Sequence, residues 1–308
     1  MNNEAEKNDI RAGCCEVKIT DRALGITFPM TVMYPADAPE RTVRLGPYPV
    51  EAARDAAPRE GRFPLVLISH GSGGSPYVYR SLARHLARSG FVVGLPEHPH
   101  NHRGDNTYEG TIHNLACRPR HLRMAADWFD RDEVFKERVR PDGYSVIGHS
   151  MGGYTALAAA GGVPTCFPDE SPDGQPHRID AARDPRIRSL VLLAPASVWF
   201  RKEGALSGVR LPILMLCAEH DPFTPAFHAG IILQGVADPH KIRYRTVANA
   251  GHFSFLSPFP AEMISPAFLP SQDPPGFDRV PFHETLQDEI TEFLLSEPRG
   301  RGDNFHRM

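Results

Sequence analysis

The chain has 308 residues, of which 41% are hydrophobic and 23% charged, and its formal net charge is −3 at pH 7. Such a composition supplies a full hydrophobic core and excludes a wholly disordered chain. The slightly negative charge argues against a general binder of nucleic acid or of anionic membranes. The polar start at residues 1–7 lacks the apolar segment of a signal peptide. No apolar run approaches the roughly 18 residues that span a bilayer.

Cysteine usage predicts a reducing compartment. The five cysteines are Cys14, Cys15, Cys117, Cys166 and Cys217, an odd number without metal-ligand spacing. Together with the polar N-terminus, they favour a cytoplasmic protein with no disulfide framework. Cys217 stands in an apolar run and is predicted to belong to the core.

Apolar runs that form strands alternate with helical patterns along the chain. The predicted strands cover residues 14–20, 26–34, 63–69, 91–96, 144–148, 188–194, 211–218 and 241–247. The predicted helices cover residues 77–89, 115–138, 154–160, 226–235 and 282–296. We interpret residues 36–62 as a surface excursion, residues 161–187 as a loop or small insertion, and residues 1–12 and 297–308 as frayed tails.

Nearly continuous apolar strands that alternate with helices indicate an α/β fold. The sheet is expected to be mostly parallel and covered by helices on both faces. With no internal repeat and no second core, residues 1–308 are predicted to form one domain. Ligands of such sheets bind beyond the carboxyl ends of the strands, and the motifs described next all follow predicted strands.

A G-x-S-x-G motif occupies residues 148–152, between an apolar strand and an Ala-rich helix. A serine on such a turn is held in a strained backbone with positive φ. Gly148 and Gly152 have no Cβ, so the turn can close tightly. The turn exposes the hydroxyl of Ser150 at the positive end of a helix. We therefore predict that Ser150 is the nucleophile of a serine hydrolase.

A serine hydroxyl needs a base within about 3 Å and an acid that orients this base. With this type of elbow, the acid and then the histidine follow the serine along the chain. Asp221 follows a late strand and precedes a proline, so we predict it as the acid, with Glu219 as the alternative. His252 follows the last predicted strand and is the predicted base, with His283 and His240 as weaker alternatives.

An oxyanion hole requires two backbone N–H groups aimed at the developing negative charge. One is predicted from Met151, directly after the nucleophile. The other is assigned to Ser72, in the H-G-S-G-G turn at residues 70–74. This turn lacks the Gly-Lys-Ser/Thr ending of a phosphate-binding loop, so nucleotide binding is not predicted.

Further candidate residues surround these motifs. Possible substrate-pocket residues are His70, Gly71, His149, Phe253 and Phe255. The Phe- and Pro-rich residues 253–280 either line an acyl pocket, form a lid, or pack the loop onto the body. The His-rich loop at residues 97–105 contains imidazoles and carboxylates that suit a metal. Triad chemistry needs no metal, so neither a metal nor a cofactor is predicted, and this loop is expected to shape the pocket.

Three motifs together resemble the α/β-hydrolase superfamily. They are S-H-G-S-G-G at residues 69–74, G-H-S-M-G-G at 148–153 and G-H-F at 251–253. Within the superfamily, residues 46–49 and 63–106 are similar to bacterial proteins termed predicted dienelactone hydrolases, which are related to platelet-activating-factor acetylhydrolases. The resemblance covers residues 14–296. It implies ester hydrolysis through an acyl-enzyme, without a cofactor.

Two features depart from these relatives. True dienelactone hydrolases use a cysteine nucleophile, whereas this elbow carries Ser150. The animal acetylhydrolases take their acid after the strand that follows the elbow, and residues 193–197 contain no acid. Asp221 is therefore preferred, and the resemblance does not carry phospholipid specificity with it.

The leading hypothesis is a serine carboxylesterase that acts on a small, partly apolar ester. One alternative is an acyltransferase, or an amide or lactone hydrolase, with the same triad. Another is a non-catalytic binding protein on this fold. No nucleic-acid partner and no membrane span are predicted, and the sequence leaves the substrate and the oligomeric state open.

Overall fold

The computed structural model describes residues 10–296. The predicted tails at residues 1–9 and 297–308 lie outside the described residues. The first strand already begins at Arg11, so the prediction that residues 11 and 12 belong to a frayed tail is wrong. Ala12 is fully buried, because this strand pairs along its whole length with its neighbour.

Within residues 10–296, ten strands form one sheet. They are β1 (Arg11–Asp21), β2 (Ile26–Ala36), β3 (Arg41–Leu45), β4 (Tyr48–Arg54), β5 (Phe63–Ser69), β6 (Val92–Pro96), β7 (Val139–His149), β8 (Ile187–Leu193), β9 (Ile213–His220) and β10 (Ile242–Gly251). Their order is β10-β9-β8-β7-β5-β6-β2-β1-β4-β3. The six strands from β10 to β6 are parallel, and β2 joins β6 antiparallel. The predicted mostly parallel sheet is confirmed.

Helices cover both faces of the sheet. They are α1 (Arg80–Arg88), α2 (Ile112–Arg131), α3 (Met151–Ala159), α4 (Phe227–Gly235) and α5 (Arg279–Ser296). Buried side chains of α1 and α5 belong to one core cluster, and those of α2, α3 and α4 belong to the other. Alternate residues of β5 enter the two clusters, so both faces of this strand are buried.

A hairpin occupies part of the region that was predicted as a surface excursion. β3 and β4 pair antiparallel, with Leu45 opposite Tyr48, and Gly46 takes a φ of 54° in the turn. Leu45, Tyr48, Val50 and Ala52 are buried. In β4 the buried residues alternate with exposed Pro49 and Glu51, which is the pattern of a half-buried strand. The prediction for residues 36–62 is therefore wrong at the hairpin, because its Arg and Pro content masked this short alternation.

The chemical motifs leave the sheet at one edge. Ser69 pairs with Gly148, and Gly251 pairs with His220, so the carboxyl ends of β5 and β7 are neighbours, as are those of β9 and β10, with β8 between the two pairs. The next residues of these four strands are the H-G turn, Ser150, Asp221 and His252. Within residues 10–296, no helix combines the length and the apolar character needed to cross a membrane.

Candidate active site

Ser150 is the residue between β7 and α3 and adopts a strained backbone. Its φ is 55° and its ψ is −119°, in the left-handed half of conformational space that side chains rarely occupy. Three hydrogen bonds hold this conformation. Its N–H donates to the Leu193 carbonyl at 3.0 Å, and its carbonyl accepts from Gly153 at 2.8 Å and from Ala196 at 2.9 Å. Neighbouring backbone, rather than the serine itself, therefore fixes the turn.

The glycines of the elbow are required by close backbone contacts. A Cβ on Gly148 would lie 2.2 Å from the Gly152 carbonyl oxygen, and one on Gly152 would lie 1.9 Å from the Ser69 carbonyl oxygen. A Cβ on Gly153 would lie 2.6 Å from Cβ of Pro195. Each spacing is shorter than any side chain tolerates, so the motif lets α3 pack directly on the ends of β5 and β8.

His252 and Asp221 meet beyond the ends of β10 and β9. Nδ1 of His252 lies 2.7 Å from Oδ2 of Asp221, and the two side chains are only 4% and 0% exposed. A neutral His252 therefore carries its proton on Nδ1, and its Nε2 is free to accept another. This is the arrangement of a base that is oriented by a carboxylate.

The tight turn at residues 221–224 holds the carboxylate of Asp221 in place by hydrogen bonds. Its Oδ1 accepts from the backbone N–H groups of Phe223 and Thr224, each at 2.8 Å. The hydroxyl of Thr224 lies 2.7 Å from Oδ2. Burial raises the pKa of Asp221, but the hydrogen bonds from His252 and Thr224 outweigh it and lower that pKa to about 2. Asp221 is thus ionised at neutral pH. The role of Thr224 was not predicted from sequence, although an Asp followed by Pro and, three residues later, Thr is typical of such turns.

Ser150 and His252 line the same cavity, whose volume is about 430 Å³. The serine is half-buried and the histidine is buried. Within residues 10–296 no hydrogen bond joins the Ser150 hydroxyl to His252. Hydrogen bonds of this kind are often long in unliganded enzymes and tighten only when substrate binds.

His149 connects the elbow to the loop that carries His252. Its Nε2 donates to the His252 carbonyl at 3.0 Å, so its Nδ1 accepts from the hydroxyl of Tyr79 at 2.9 Å. The rings of His149 and His252 lie 4.8 Å apart. Burial, with a smaller contribution from His252, lowers the pKa of His149 to about 3, which keeps this imidazole neutral. Tyr79 was not predicted as a site residue, because no sequence signal links a helix tyrosine to the elbow.

The two backbone N–H groups predicted for the oxyanion hole belong to Met151 and Ser72. Met151 begins α3, where N–H groups have no partner within the helix. Ser72 stands in the turn after β5, and its N–H makes no hydrogen bond to any group of residues 10–296. The turn is closed by a bond of 3.1 Å from Gly74 to the Gly71 carbonyl, with Gly73 at a φ of 57°. Ser72 lines the cavity together with Ser150.

Comparison with known proteins agrees with this architecture. Residues 64–200 match a family model described as the alpha/beta hydrolase fold. The structure resembles a ferulic acid esterase from Streptomyces cinnamoneus, with a TM-score of 0.70 and 18% identity over 96% of this chain and 92% of that chain. The chain has the α/β-hydrolase fold. This is the fold that the motifs predicted.

A second solved structure is also similar to this hydrolase fold. It is the dienelactone hydrolase from Anabaena variabilis, with a TM-score of 0.55 and 15% identity over 94% of this chain and 100% of that chain. At such identities the likeness concerns the fold alone. No curated protein sequence matches the chain.

The cavity beside Ser150 is mostly apolar. Its apolar walls come from Tyr48, Val78, Phe223, Phe253, Leu256, Phe268 and Pro270. Four of these, Phe253, Leu256, Phe268 and Pro270, belong to residues 253–280, so part of that segment lines the cavity. Gly71, His149 and Phe253, which were predicted as pocket residues, all lie in its wall.

Two predicted pocket residues lie elsewhere. His70 is fully buried beneath the turn, where its Nδ1 donates to the Gly71 carbonyl at 2.8 Å and its Nε2 accepts from the N–H of His98 at 3.0 Å. Phe255 is 1% exposed and packs in the core against Phe282. The predictions for both are corrected, because their side chains point away from the cavity into the body.

The weaker alternatives for the acid and the base do not approach Ser150. Glu219 is exposed and accepts from the N–H of Asn249 at 2.8 Å. His283 is buried on α5, and its Nε2 donates to the Ser254 carbonyl at 3.0 Å. His240 is exposed in the turn before β10. None of these three side chains lines the cavity that contains Ser150.

The His-rich loop forms internal contacts. His100 lies 2.7 Å from Asp105, His102 lies 3.6 Å from Glu97, and Nε2 of His98 lies 2.8 Å from the hydroxyl of Ser69. In the part of the chain that is described, no group of three or more His, Cys, Asp or Glu side chains is arranged to hold a metal ion.

Proposed function

We propose that this chain is a serine hydrolase that cleaves a small, partly apolar carboxylic ester through an acyl-enzyme. The observation that carries the proposal is the buried 2.7 Å contact of Asp221 with His252, which lines the same cavity as Ser150, itself held at a φ of 55°. This combination supplies a proton acceptor, its orienting carboxylate and a strained nucleophile in one pocket.

In the proposed reaction, Oγ of Ser150 attacks the ester carbonyl while Nε2 of His252 takes the hydroxyl proton. The negative charge that forms on the carbonyl oxygen is held by the N–H groups of Ser72 and Met151. Collapse breaks the bond to the alcohol, which leaves with the proton from His252. Water then attacks the acyl-serine by the same steps and releases the acid. Asp221 stabilises the imidazolium in both halves, and the sequence of steps needs no cofactor.

The apolar cavity wall supports an ester with an apolar acyl or alcohol part. We further propose that residues 1–308 act as one domain, in which residues 253–280 form one wall of the pocket. The five free cysteines support a cytoplasmic location, where thiols stay reduced.

The deciding experiment is Ser150→Ala with short p-nitrophenyl esters as substrates. Loss of the nucleophile is expected to lower kcat by at least about 10³-fold and to abolish labelling by a fluorophosphonate probe. Ser145→Ala is a matched control on β7, the strand that leads into Ser150, since within residues 10–296 that hydroxyl bonds only to Ser189, at 2.9 Å. Retention of most esterase activity in Ser150→Ala, or a folded wild-type chain that neither turns over esters nor reacts with the probe, contradicts the proposal.

A further inference from the structure

Arg118, on α2, is a buried cation with neutral partners. The residue is 1% exposed, and none of the carboxylates in residues 10–296 pairs with it. Burial lowers the pKa of Arg118 to about 9, so the guanidinium is still charged at neutral pH. A buried charge without a counter-ion is costly unless several hydrogen bonds compensate it. The hydrogen bonds that Arg118 makes must therefore compensate the cost of burying its charge.

Each branch of the guanidinium contacts a different segment around the proposed oxyanion hole. Nε donates to the Thr155 hydroxyl at 2.9 Å, and that hydroxyl donates to the Met151 carbonyl at 3.0 Å. Nη2 donates to the carbonyl of His70, immediately before the glycine turn. Nη1 donates to Oδ1 of Asn101 at 2.6 Å. The start of α3 and the turn after β5 are thus tied to one rigid group.

Asn101 extends this network to Ser72 itself. Its side chain is fully buried, and Nδ2 donates to the Ser72 hydroxyl at 2.9 Å. The Ser72 hydroxyl in turn donates to Oε1 of Glu109 at 3.0 Å. Since these bonds use the side chain of Ser72, they fix the residue while its backbone N–H stays free for a ligand.

We propose that Arg118 is a positioning residue of the oxyanion hole, acting through Asn101 and the His70 carbonyl. The guanidinium sets the distance between the two N–H donors, which come from different elements. The inference rests on the proposed function, because such positioning matters only if negative charge develops between Ser72 and Met151. Neutral acceptors suit this task, since a carboxylate at Arg118 would cancel the positive charge near the developing oxyanion.

The test uses Arg118→Lys and Asn101→Ala in the full chain, with Arg120→Lys as the matched control. Arg120 lies on the same helix, but its side chain is 43% exposed and bonds to Asp21, which does not line the cavity. Lysine keeps the charge but cannot bridge three segments. Removal of one oxyanion donor costs about 10²–10³ in rate. Both substitutions are expected to displace a donor without removing it, and so to lower kcat by about 10–100-fold. KM for p-nitrophenyl acetate should change by less than about threefold, because ground-state binding is unaffected.

A second readout separates positioning from a general loss of structure. A trifluoromethyl ketone forms a tetrahedral adduct with a serine nucleophile, so its affinity should fall in both variants by the same factor as kcat. Thermal unfolding shows which variants are folded, and Asn101→Ala decides the question if Arg118→Lys does not fold. Arg120→Lys should retain the wild-type constants.

Several outcomes would overturn the inference. Folded Arg118→Lys and Asn101→Ala variants with wild-type kcat would remove it, as would a loss confined to KM or a loss of kcat without weaker ketone binding. In each of these cases wild-type esterase activity and probe labelling of Ser150 would persist, and the proposed function would stand. A wild-type chain without either property would instead refute the proposed function and this inference together.

Discussion

Asp221 and Glu219 stand two residues apart, yet their surroundings differ completely. Asp221 is buried against His252 and accepts backbone hydrogen bonds, whereas Glu219 is exposed and bonds the backbone of Asn249. Asp221→Asn is expected to lower kcat by about 10³–10⁴-fold, because an amide cannot hold the histidine in the tautomer that accepts the serine proton. Steady-state hydrolysis of a p-nitrophenyl ester measures the loss.

Glu219→Gln is the matched control for this substitution. It removes a carboxylate from the same segment without touching the cavity, so kcat should stay at the wild-type value. Equal losses in the two variants, or a loss only in Glu219→Gln, would show that the acid has been assigned to the wrong residue.

At the scale of elements, the packing of α3 on the end of β5 positions the elbow. Gly152→Ala places a Cβ 1.9 Å from the Ser69 carbonyl oxygen, and this contact with backbone cannot be relieved by a rotamer change. The helix and the strand must move apart, which also displaces the turn that carries Ser72. We expect a loss of about 2–4 kcal/mol in the free energy of unfolding, measured in urea, and a loss of most activity.

Gly230, in α4, provides the contrasting control. Among the described residues, 10–296, a Cβ there would meet only the side-chain nitrogen of Gln234, at 3.9 Å. Gly230→Ala should therefore raise the free energy of unfolding by about 0.5–1 kcal/mol, as expected for alanine in a helix interior. If Gly152→Ala were as stable and as active as Gly230→Ala, close backbone packing would not be what the elbow requires.

The elements that could be predicted from sequence are those with a strong local pattern. β5 occupies residues Phe63–Ser69 as predicted, because its apolar run is bounded by Pro64 at one end and the glycine turn at the other. The β3–β4 hairpin was missed, since its pairing depends on Tyr48 and Val50 reaching a distant core. The first turn of the helix predicted from residue 77 is a 3-10 turn, Pro76–Tyr79, because Ser75 caps it and Pro76 begins it.

The residues of the candidate site also differ in whether a local sequence pattern reveals them. Ser150, Asp221 and His252 stand directly after strands, so chain order alone brought them to one edge of the sheet. Arg118 and Tyr79 belong to no sequence motif, and their side-chain hydrogen bonds run to residues 17 or more positions away. Such residues become visible only when tertiary packing is known.

At the scale of the whole molecule, buried histidines dominate the expected response to acid. Burial is the largest cause that lowers the pKa of each, to about 3 for His70, His121 and His149 and to about 4 for His228 and His283. Below pH 6.5, the approximate pKa of an ordinary histidine, these side chains bind protons in the unfolded chain but stay neutral in the folded chain. The free energy of unfolding therefore falls as the pH falls. At pH 5, each of these histidines has lowered the free energy of unfolding by about 2 kcal/mol relative to neutral pH. The sum is comparable to the whole free energy of unfolding of a typical domain, about 5–15 kcal/mol.

His121 isolates one such group, because neither of its ring nitrogens has a hydrogen-bond partner in residues 10–296 and its ring packs 5.1 Å from that of Phe28. His121→Leu keeps a similar volume and removes the proton uptake. Relative to wild type, the variant should gain about 2 kcal/mol in the free energy of unfolding between pH 7.5 and pH 5, measured in urea at both values. Parallel losses in wild type and His121→Leu would mean that His121 takes up its proton in the folded state, and that acid sensitivity arises from other groups.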